Sequence, residues 1–436
     1  MMYYFIGIKG SGMSSLACIL KDCGYDVTGS DIQKYIFTQK KLEEHNIPFF
    51  SFSREHIKSG MQVIIGNAFD DTNEEVQEAL NNPQVKTYTY PEFLGFLTQK
   101  YHSICVSGTH GKTTTTGMLA HVFASVQPSG YLIGDGSGYM PKDAQTFILE
   151  ACEYKRNFLA YAPDYAIVLN LELDHVDYYR DFDDYQNAFG AFVKNVKKGI
   201  AVFGDQKETH HLQFAGVHLF YGLQKHNDVY ADHVIEDEHG VHFDCFYRNE
   251  LFSHFDLPFY GVHLLWNALG VIAIGIMNGL SATQLQDGLK SFKGVSRRFH
   301  VEEVNGYVYI DDYAHHPTAI ALTIDAAKQK YPNKKIVAIF QPDRMSRIAY
   351  FLDQFADAFK EASKVYLLPF PENTQVEEGV DVTIRDLREH IDKAVIVNNN
   401  EEGVQLLASE KEAVYLFMSS KDIYKFKDKM KDFQKT

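Results

Sequence analysis

Short apolar runs, each followed by a glycine turn or an amphipathic stretch, recur along the chain and predict a succession of strand and helix pairs. Residues 3–8 are apolar, 7–12 are glycine-rich and 13–20 are apolar at helical spacing, which reads as strand, turn, helix. The pattern resumes at Asp26-Val27-Thr28 and closes on Gly29-Ser30-Asp31, an acidic strand end about 20 positions beyond the glycines. A Rossmann-like domain is expected over residues 1–97. The sheet signal restarts at 103–120, where Ile104-Cys105-Val106 leads into GTHGKTTTT and a helix. Further strands are expected at 146–149, 165–169 and 199–203, followed by antiparallel alternation through 217–257. The middle domain is thus placed at 98–296. After GVSRRF (294–299), strand and helix alternate again: strand 308–311, helix 319–329, strand 335–340, helix 349–362, strand 365–368. A third α/β domain, also Rossmann-like, is expected over 297–436.

Length agrees with this division, since 436 residues exceed one ordinary domain of about 100 to 200. No stretch reaches the roughly 20 apolar residues that span a bilayer, so no membrane association is expected. The formal charge of −15 argues against a chain that wraps nucleic acid, which needs clustered cations. Five scattered cysteines predict free thiols in a reducing compartment. The opening residues lack the basic and long apolar segments of a secretory signal, and a cytoplasmic location is expected. Oligomeric state is not legible.

The strongest chemical signal is the loop from Gly108 through Thr109, His110, Gly111, Lys112, Thr113 and Thr114, set between an apolar strand and a helix. Backbone N–H groups at a helix N-terminus attract phosphate. Lys112 can reach the β/γ-phosphates, and the Thr113 hydroxyl can enter a Mg²⁺ shell. The loop is shorter than the general form GxxxxGK[ST]. Two acidic neighbourhoods at expected strand ends, Glu150-Ala151-Cys152-Glu153 and Asp174-His175, are candidates to complete the metal site. The turn Gly7-Ile8-Lys9-Gly10-Ser11-Gly12 departs from GxGxxG, which disfavours NAD and leaves either nucleotide contact or helix packing open. Arg297-Arg298, Asp311-Asp312, His315-His316 and the run Gln341-Pro342-Asp343-Arg344-Met345-Ser346-Arg347 add groups suited to holding phosphate or carboxylate. Adjacent histidines without a cysteine cluster disfavour zinc.

In this order, FIGIKGSGMSSLA, GSD, VSGTHGKTTTT, EACEY, DHVDYY, GVSRRF, DDYAHHPT and FQP resemble the Mur ligase family, above all its alanine-adding branch, over nearly the whole chain. The resemblance implies an N-terminal domain for a UDP-sugar, a central ATPase and a C-terminal domain for an amino acid. It implies ATP and Mg²⁺ as cofactors and UDP-N-acetylmuramate and L-alanine as substrates, joined through an acyl phosphate. Thr113 would hold one Mg²⁺ and Glu153 with His175 a second. Asn267 would meet adenine, Arg298 a phosphate and Asp312 the ribose. His316, Arg344 and Arg347 would face the amino acid or the acyl phosphate, with Lys112 on the transferring phosphoryl group. Gly10, Ser11, Gly12, Met13, Ser14 and Asp31 would contact the UDP-sugar. The chain departs from the family pattern at Cys152 (EADEY), Leu264 (HNxxN), Asp343 (QPH) and Ser419-Ser420-Lys421 (MGAGD). The alternative implied by these changes is a non-catalytic or altered-specificity paralogue.

Overall fold

The computed structural model describes residues 1–371, 374, 377, 380–410 and 412–434. Residues 372–373, 375–376, 378–379, 411 and 435–436 of the expected third domain therefore lie outside the described residues. Among the described residues the chain contains three β-sheets, and it folds as two compact units, one of residues 1–171, 185–229 and 269–292, the other of 172–184, 230–268 and 293–436.

In the first unit, β1 (Met2–Ile6), β2 (Asp26–Ser30), β3 (Phe49–Phe50), β4 (Gln62–Ile65) and β5 (Lys86–Thr89) form a parallel sheet in the order β3-β2-β1-β4-β5. Helices α1 (Ser11–Asp22), α2 (Gln39–Glu44), α3 (Glu74–Asn81) and α4 (Tyr90–Lys100) complete this layer. β1 is buried from Tyr3 onward, as a strand covered on both faces must be. Gly12 at the start of α1 is required by packing, because a Cβ there would lie 2.3 Å from the Tyr90 hydroxyl.

The same unit holds β6 (His102–Ser107), α5 (Lys112–Ala124), β7 (Ser129–Leu132), β8 (Gly138–Tyr139), β9 (Thr146–Glu150), β10 (Tyr165–Val168), β11 (Gly199–Phe203) and β12 (Val217–Gly222). Their order is β12-β11-β10-β6-β9-β7-β8, parallel throughout except for the β7–β8 hairpin. Helix α6 (Phe182–Val193) buries Tyr185, Phe189 and Phe192. The expected strands 146–149, 165–169 and 199–203 are all present.

The second unit contains β13 (Val229–Asp237), β14 (Gly240–Tyr247) and β15 (Glu250–Leu257), the later part of the 217–257 region expected to be antiparallel; its first strand, β12, instead continues the parallel sheet beside β11. Alternation holds along β14 and the end of β15. Val241, Phe243, Cys245, Phe255 and Leu257 are buried, while Asp244 pairs across the outer face with His233 and His254. Helix α7 (Val262–Met277), which carries Asn267, was not anticipated. Its run is apolar on nearly every side, so no 3.6-residue contrast marks it. Helix α8 (Ala282–Ser291), which belongs to the first unit, follows in the chain, with a capping box at Ser281 and Gln284.

The third sheet comprises β16 (His300–Val304), β17 (Tyr307–Asp312), β18 (Lys335–Phe340), β19 (Lys364–Leu367), β20 (Ala394–Ile396) and β21 (Ala413–Met418), ordered β16-β17-β21-β18-β19-β20. Only β16 runs antiparallel to its neighbour. Helix α9 (Pro317–Lys330) matches the expectation. The helix expected over 349–362 does not form as one element. It is α10 (Met345–Tyr350) and α11 (Leu352–Ala358), separated at Phe351, whose φ of −110° and ψ of 25° break the helix while its ring enters the core. The earlier start follows from Glu377, whose carboxylate accepts the Ser346 N–H at 2.5 Å at the head of α10.

On β16, Glu302 accepts from Lys427 at 2.5 Å and from Lys431. Burial raises the carboxyl's pKa, but the hydrogen bonds and charges of the two lysines outweigh that and bring it down to about 2. Because the folded value lies below the unfolded one, this stabilisation is present at neutral pH and is lost as pH falls from about 4.3 toward 2. Glu302→Gln is expected to lower Tm by about 2 °C at pH 7, with the difference from wild type shrinking across that acid range in thermal melts.

Candidate active site

β6 delivers the chain to the phosphate-type loop, and two glycines shape it. Gly108 has φ of 137°, and a Cβ there would lie 2.8 Å from the Leu169 Cβ, at the end of β10. Gly111 has φ of 84° and caps α5, whose first turn holds Lys112, Thr113 and Thr114. Asn170 ties the loop down. Its carbonyl accepts the Thr109 N–H at 2.9 Å and its side-chain oxygen accepts the His110 N–H at 2.9 Å. Gly108→Ala is therefore expected to displace the loop and weaken binding of a non-hydrolysable ATP analogue at least tenfold; titration calorimetry on the folded variant would read this.

Lys112 lies back on its own loop, donating to the Gly108 carbonyl at 2.6 Å and the Thr109 carbonyl at 2.9 Å. It also pairs with Glu153, whose two carboxylate oxygens lie 3.0 and 2.9 Å away. Burial alone would pull the lysine pKa down, but Glu153, then Cys152 and Glu150, push it up, so the ammonium stays charged. Cys152 is different. Burial first, and Glu153 second, push its thiol up to about 12, so it remains neutral where the family pattern has a carboxylate. Glu150 accepts the Gly134 N–H at 2.8 Å.

At the N-terminal turn, Gly7 and Ile8 donate to the Ser30 carbonyl at 2.9 and 3.0 Å. Asp31 is buried and braces the same turn, accepting the Lys9 N–H at 2.6 Å and the Ile32 N–H at 2.7 Å. Gly10 and Ser11 are exposed, whereas Met13 and Ser14 are buried, so only the first part of the expected UDP-sugar segment presents itself at the surface. Lys41 links α1 to the turn after β7, donating to the Ser15 hydroxyl and the Gly136 carbonyl, each at 2.7 Å.

In the second unit, Asp312 at the end of β17 is buried and accepts the Phe299 and Ala314 N–H groups, both at 2.7 Å. Burial raises its pKa against the opposing pull of Arg298, whose guanidinium lies 4.5 Å from the centre of the Tyr313 ring. Asn267 is buried in α7. His316 caps α9, packs edge-on against Phe351 at 4.7 Å, and places Nδ1 3.9 Å from Glu172. His175 has φ of 52°.

The densest charge cluster surrounds Arg347, which is 3% exposed. It donates through Nη2 and Nε to Asp174 at 2.9 and 3.2 Å and through Nη1 to Asp343 at 2.7 Å. The second Asp343 oxygen accepts from the Ser420 hydroxyl at 2.8 Å. Asp174 is buried and Asp343 largely so, and Arg347 holds each well below the ordinary carboxylate range. His315 beside them is pushed down to about 4 by burial first and Arg347 second, and is neutral at pH 7. Arg344 pairs with Asp177. An open cleft of about 350 Å³ flanks α10, lined by Leu173, Val176, Tyr179, Arg180, Ser346, Ala349, Tyr350 and Val380. Asp177 and Asn170 were not singled out from the sequence, and Ser420 was named only within a departure from the family pattern. Their partners lie at long separations, and a lone Asp, Ser or Asn in a loop carries no signal by itself.

A strand, glycine loop and helix with an invading lysine, built on a largely parallel sheet, define a phosphate-binding α/β protein of the nucleotide-using class. Three family models match in succession: the "Mur ligase family, catalytic domain" over residues 2–102, the "Mur ligase middle domain" over 106–275 and the "Mur ligase, glutamate ligase domain" over 297–421. Among solved structures, UDP-N-acetylmuramate–alanine ligase MurC from Thermotoga maritima is 25% identical with a TM-score of 0.81, covering 100% of this chain and 99% of that one. UDP-N-acetylmuramate:L-alanyl-gamma-D-glutamyl-meso-diaminopimelate ligase from Neisseria meningitides is 27% identical with a TM-score of 0.60, covering 68% and 99%. MurF ligase from Thermotoga maritima, solved in complex with ADP, is 18% identical with a TM-score of 0.68, covering 88% and 98%, a likeness of fold. The chain belongs to the Mur ligase family, the ATP-dependent amide ligases of peptidoglycan synthesis.

Proposed function

We propose that this protein joins an amine to the lactyl carboxylate of UDP-N-acetylmuramate at the expense of ATP, through an acyl phosphate, with L-alanine as the acceptor named by its resemblance to the alanine-adding branch. The observation that carries the reading is the Gly108–Thr114 loop at the head of α5, with the charged Lys112 beside Glu153. When ATP enters, Lys112 exchanges its two loop carbonyls for phosphate oxygens and neutralises the charge that develops during transfer. The Thr113 hydroxyl would hold one Mg²⁺ and Glu153 with His175 a second, the hydroxyl and carboxylate being hard oxygen donors of the kind Mg²⁺ prefers. The ion, when bound, supplies charge neutralisation to the phosphoryl oxygens.

Asn267, Arg298 and Asp312 are assigned to the adenosine and phosphate of ATP, and Gly10, Ser11, Gly12, Met13, Ser14 and Asp31 to the UDP-sugar. His316, Arg344 and Arg347 are assigned to the acceptor and the acyl phosphate. The lactyl oxygen attacks the γ-phosphorus and ADP leaves. The acceptor nitrogen then attacks the acyl carbon, phosphate departs, and the amine loses a proton. Phosphate release from ATP with Mg²⁺ and UDP-N-acetylmuramate, with and without L-alanine, tests this. An alanine-dependent release giving the alanyl product by mass supports it; binding of ATP without any release would favour a non-catalytic paralogue. A second reading, altered acceptor choice, is favoured by one observation, the ion pair between Asp343 and Arg347.

A further inference from the structure

Arg347 is an arginine whose anion sites are already filled from within the chain. Its Nε/Nη2 edge carries Asp174 and its Nη1 carries Asp343. The Asp343 carboxylate is held between a guanidinium and the Ser420 hydroxyl, at 2.7 and 2.8 Å, which is how such a pair would seize the carboxylate of a free amino acid. The balance of charge is unfavourable to a further anion. Two carboxylates, Asp174 buried and Asp343 with 10% of its side chain exposed, face one guanidinium, and His315 adds no positive charge at neutral pH. On the same segment, Arg344 is matched by Asp177, and Glu377 sits on the Ser346 N–H at the head of α10.

We infer that Asp343 is a specificity-determining residue that stands in for the acceptor's α-carboxylate, so that the favoured acceptor is a cationic amine without a free carboxylate beside its amino group, such as an amino-acid amide. The inference rests on the proposed ligase reading, in which Arg347 faces the acceptor. It accounts for the departure at Asp343 and for Ser420 together, since the hydroxyl completes the pair of donors that fixes the aspartate. A free amino acid would bring a third carboxylate to a guanidinium already shared by two. An amide of the same shape brings only its ammonium group, which the surplus negative charge attracts.

The test compares L-alaninamide with L-alanine as acceptors for the full chain with ATP, Mg²⁺ and UDP-N-acetylmuramate, read as the ratio of the two kcat/KM values. Hydroxylamine is used in parallel to trap any acyl phosphate as a hydroxamate independently of either acceptor. The expected ratio favours the amide at least tenfold, and Asp343→Asn is expected to move it at least tenfold toward L-alanine. Each ratio is taken within one preparation, so partial unfolding of a variant cancels. Hydroxamate formation with a wild-type preference for L-alanine would overturn the inference and leave the ligase reading intact, as would an unchanged ratio in Asp343→Asn. Absence of hydroxamate in the wild type would remove the ligase reading and this inference with it.

Discussion

Lys112→Ala is expected to lower ATP-dependent turnover by at least about 10³-fold, to below detection in a phosphate-release assay, while the protein remains folded. The lysine contributes where charge accumulates on phosphoryl oxygens, in a site largely shielded from water, and no other cation is placed on the loop among the described residues. Its removal also leaves Glu153, 1% exposed, without its ammonium partner, so a stability cost has to be separated from a catalytic one. Lys112→Met with Glu153→Gln removes both charges together. That double variant is expected to recover most of the wild-type melting temperature and none of the turnover. Turnover in Lys112→Ala within tenfold of wild type would remove the phosphate-cradle assignment.

The parts of this architecture that were legible are those where local chemistry and fold coincide. The 146–149 and 199–203 strands are apolar runs buried on both faces, and within the 217–257 block β14 alternates because one of its faces meets solvent, whereas β13 is buried over its first three residues and largely exposed after them. The loop at Gly108–Thr114 was legible because glycine at positive φ and a helix-capping position are written into the residue types themselves. Helix α7 was missed for the opposite reason, since a helix buried on nearly all sides has no polar face to reveal its period. The split between α10 and α11 depends on Phe351 entering the core and on Glu377 holding the head of α10, both tertiary facts. Asp343 was visible as a departure, but its meaning was not, because Asp174 lies 173 residues from their shared partner Arg347 and Ser420 lies 77 from Asp343.

The Asp31 and Asp312 assignments illustrate a related limit. Both were read as ligand-facing carboxylates, and in the fold both accept two backbone N–H groups. A carboxylate that braces a loop positions the groups around it, so Asp31→Ala would act on the Gly7–Gly12 turn as well as on any sugar contact. Residue type and spacing identify which loops matter; hydrogen-bond partners distinguish a brace from a contact.

Arg347→Met is expected to cost about 3 to 5 kcal/mol in denaturant unfolding at pH 7, among the largest effects available in this chain, because it strands two largely buried carboxylates. In the wild type, Asp174 and Asp343 are held below their unfolded pKa by the guanidinium. They therefore stabilise the fold above an unfolded value of about 3.9, and that contribution fades as pH falls through the folded values. In the variant the sign reverses. Burial and mutual repulsion would raise both carboxyls above their unfolded value, so acidification toward pH 4 relieves the variant while the wild type gains nothing. The stability gap is expected to be widest at neutral pH and to narrow on acidification, and Asp343→Asn placed on Arg347→Met should restore part of the loss. A gap that is flat between pH 7 and 4 would mean that the cost is lost packing of the arginine stem, and the charge balance drawn around Arg347 would have to be abandoned.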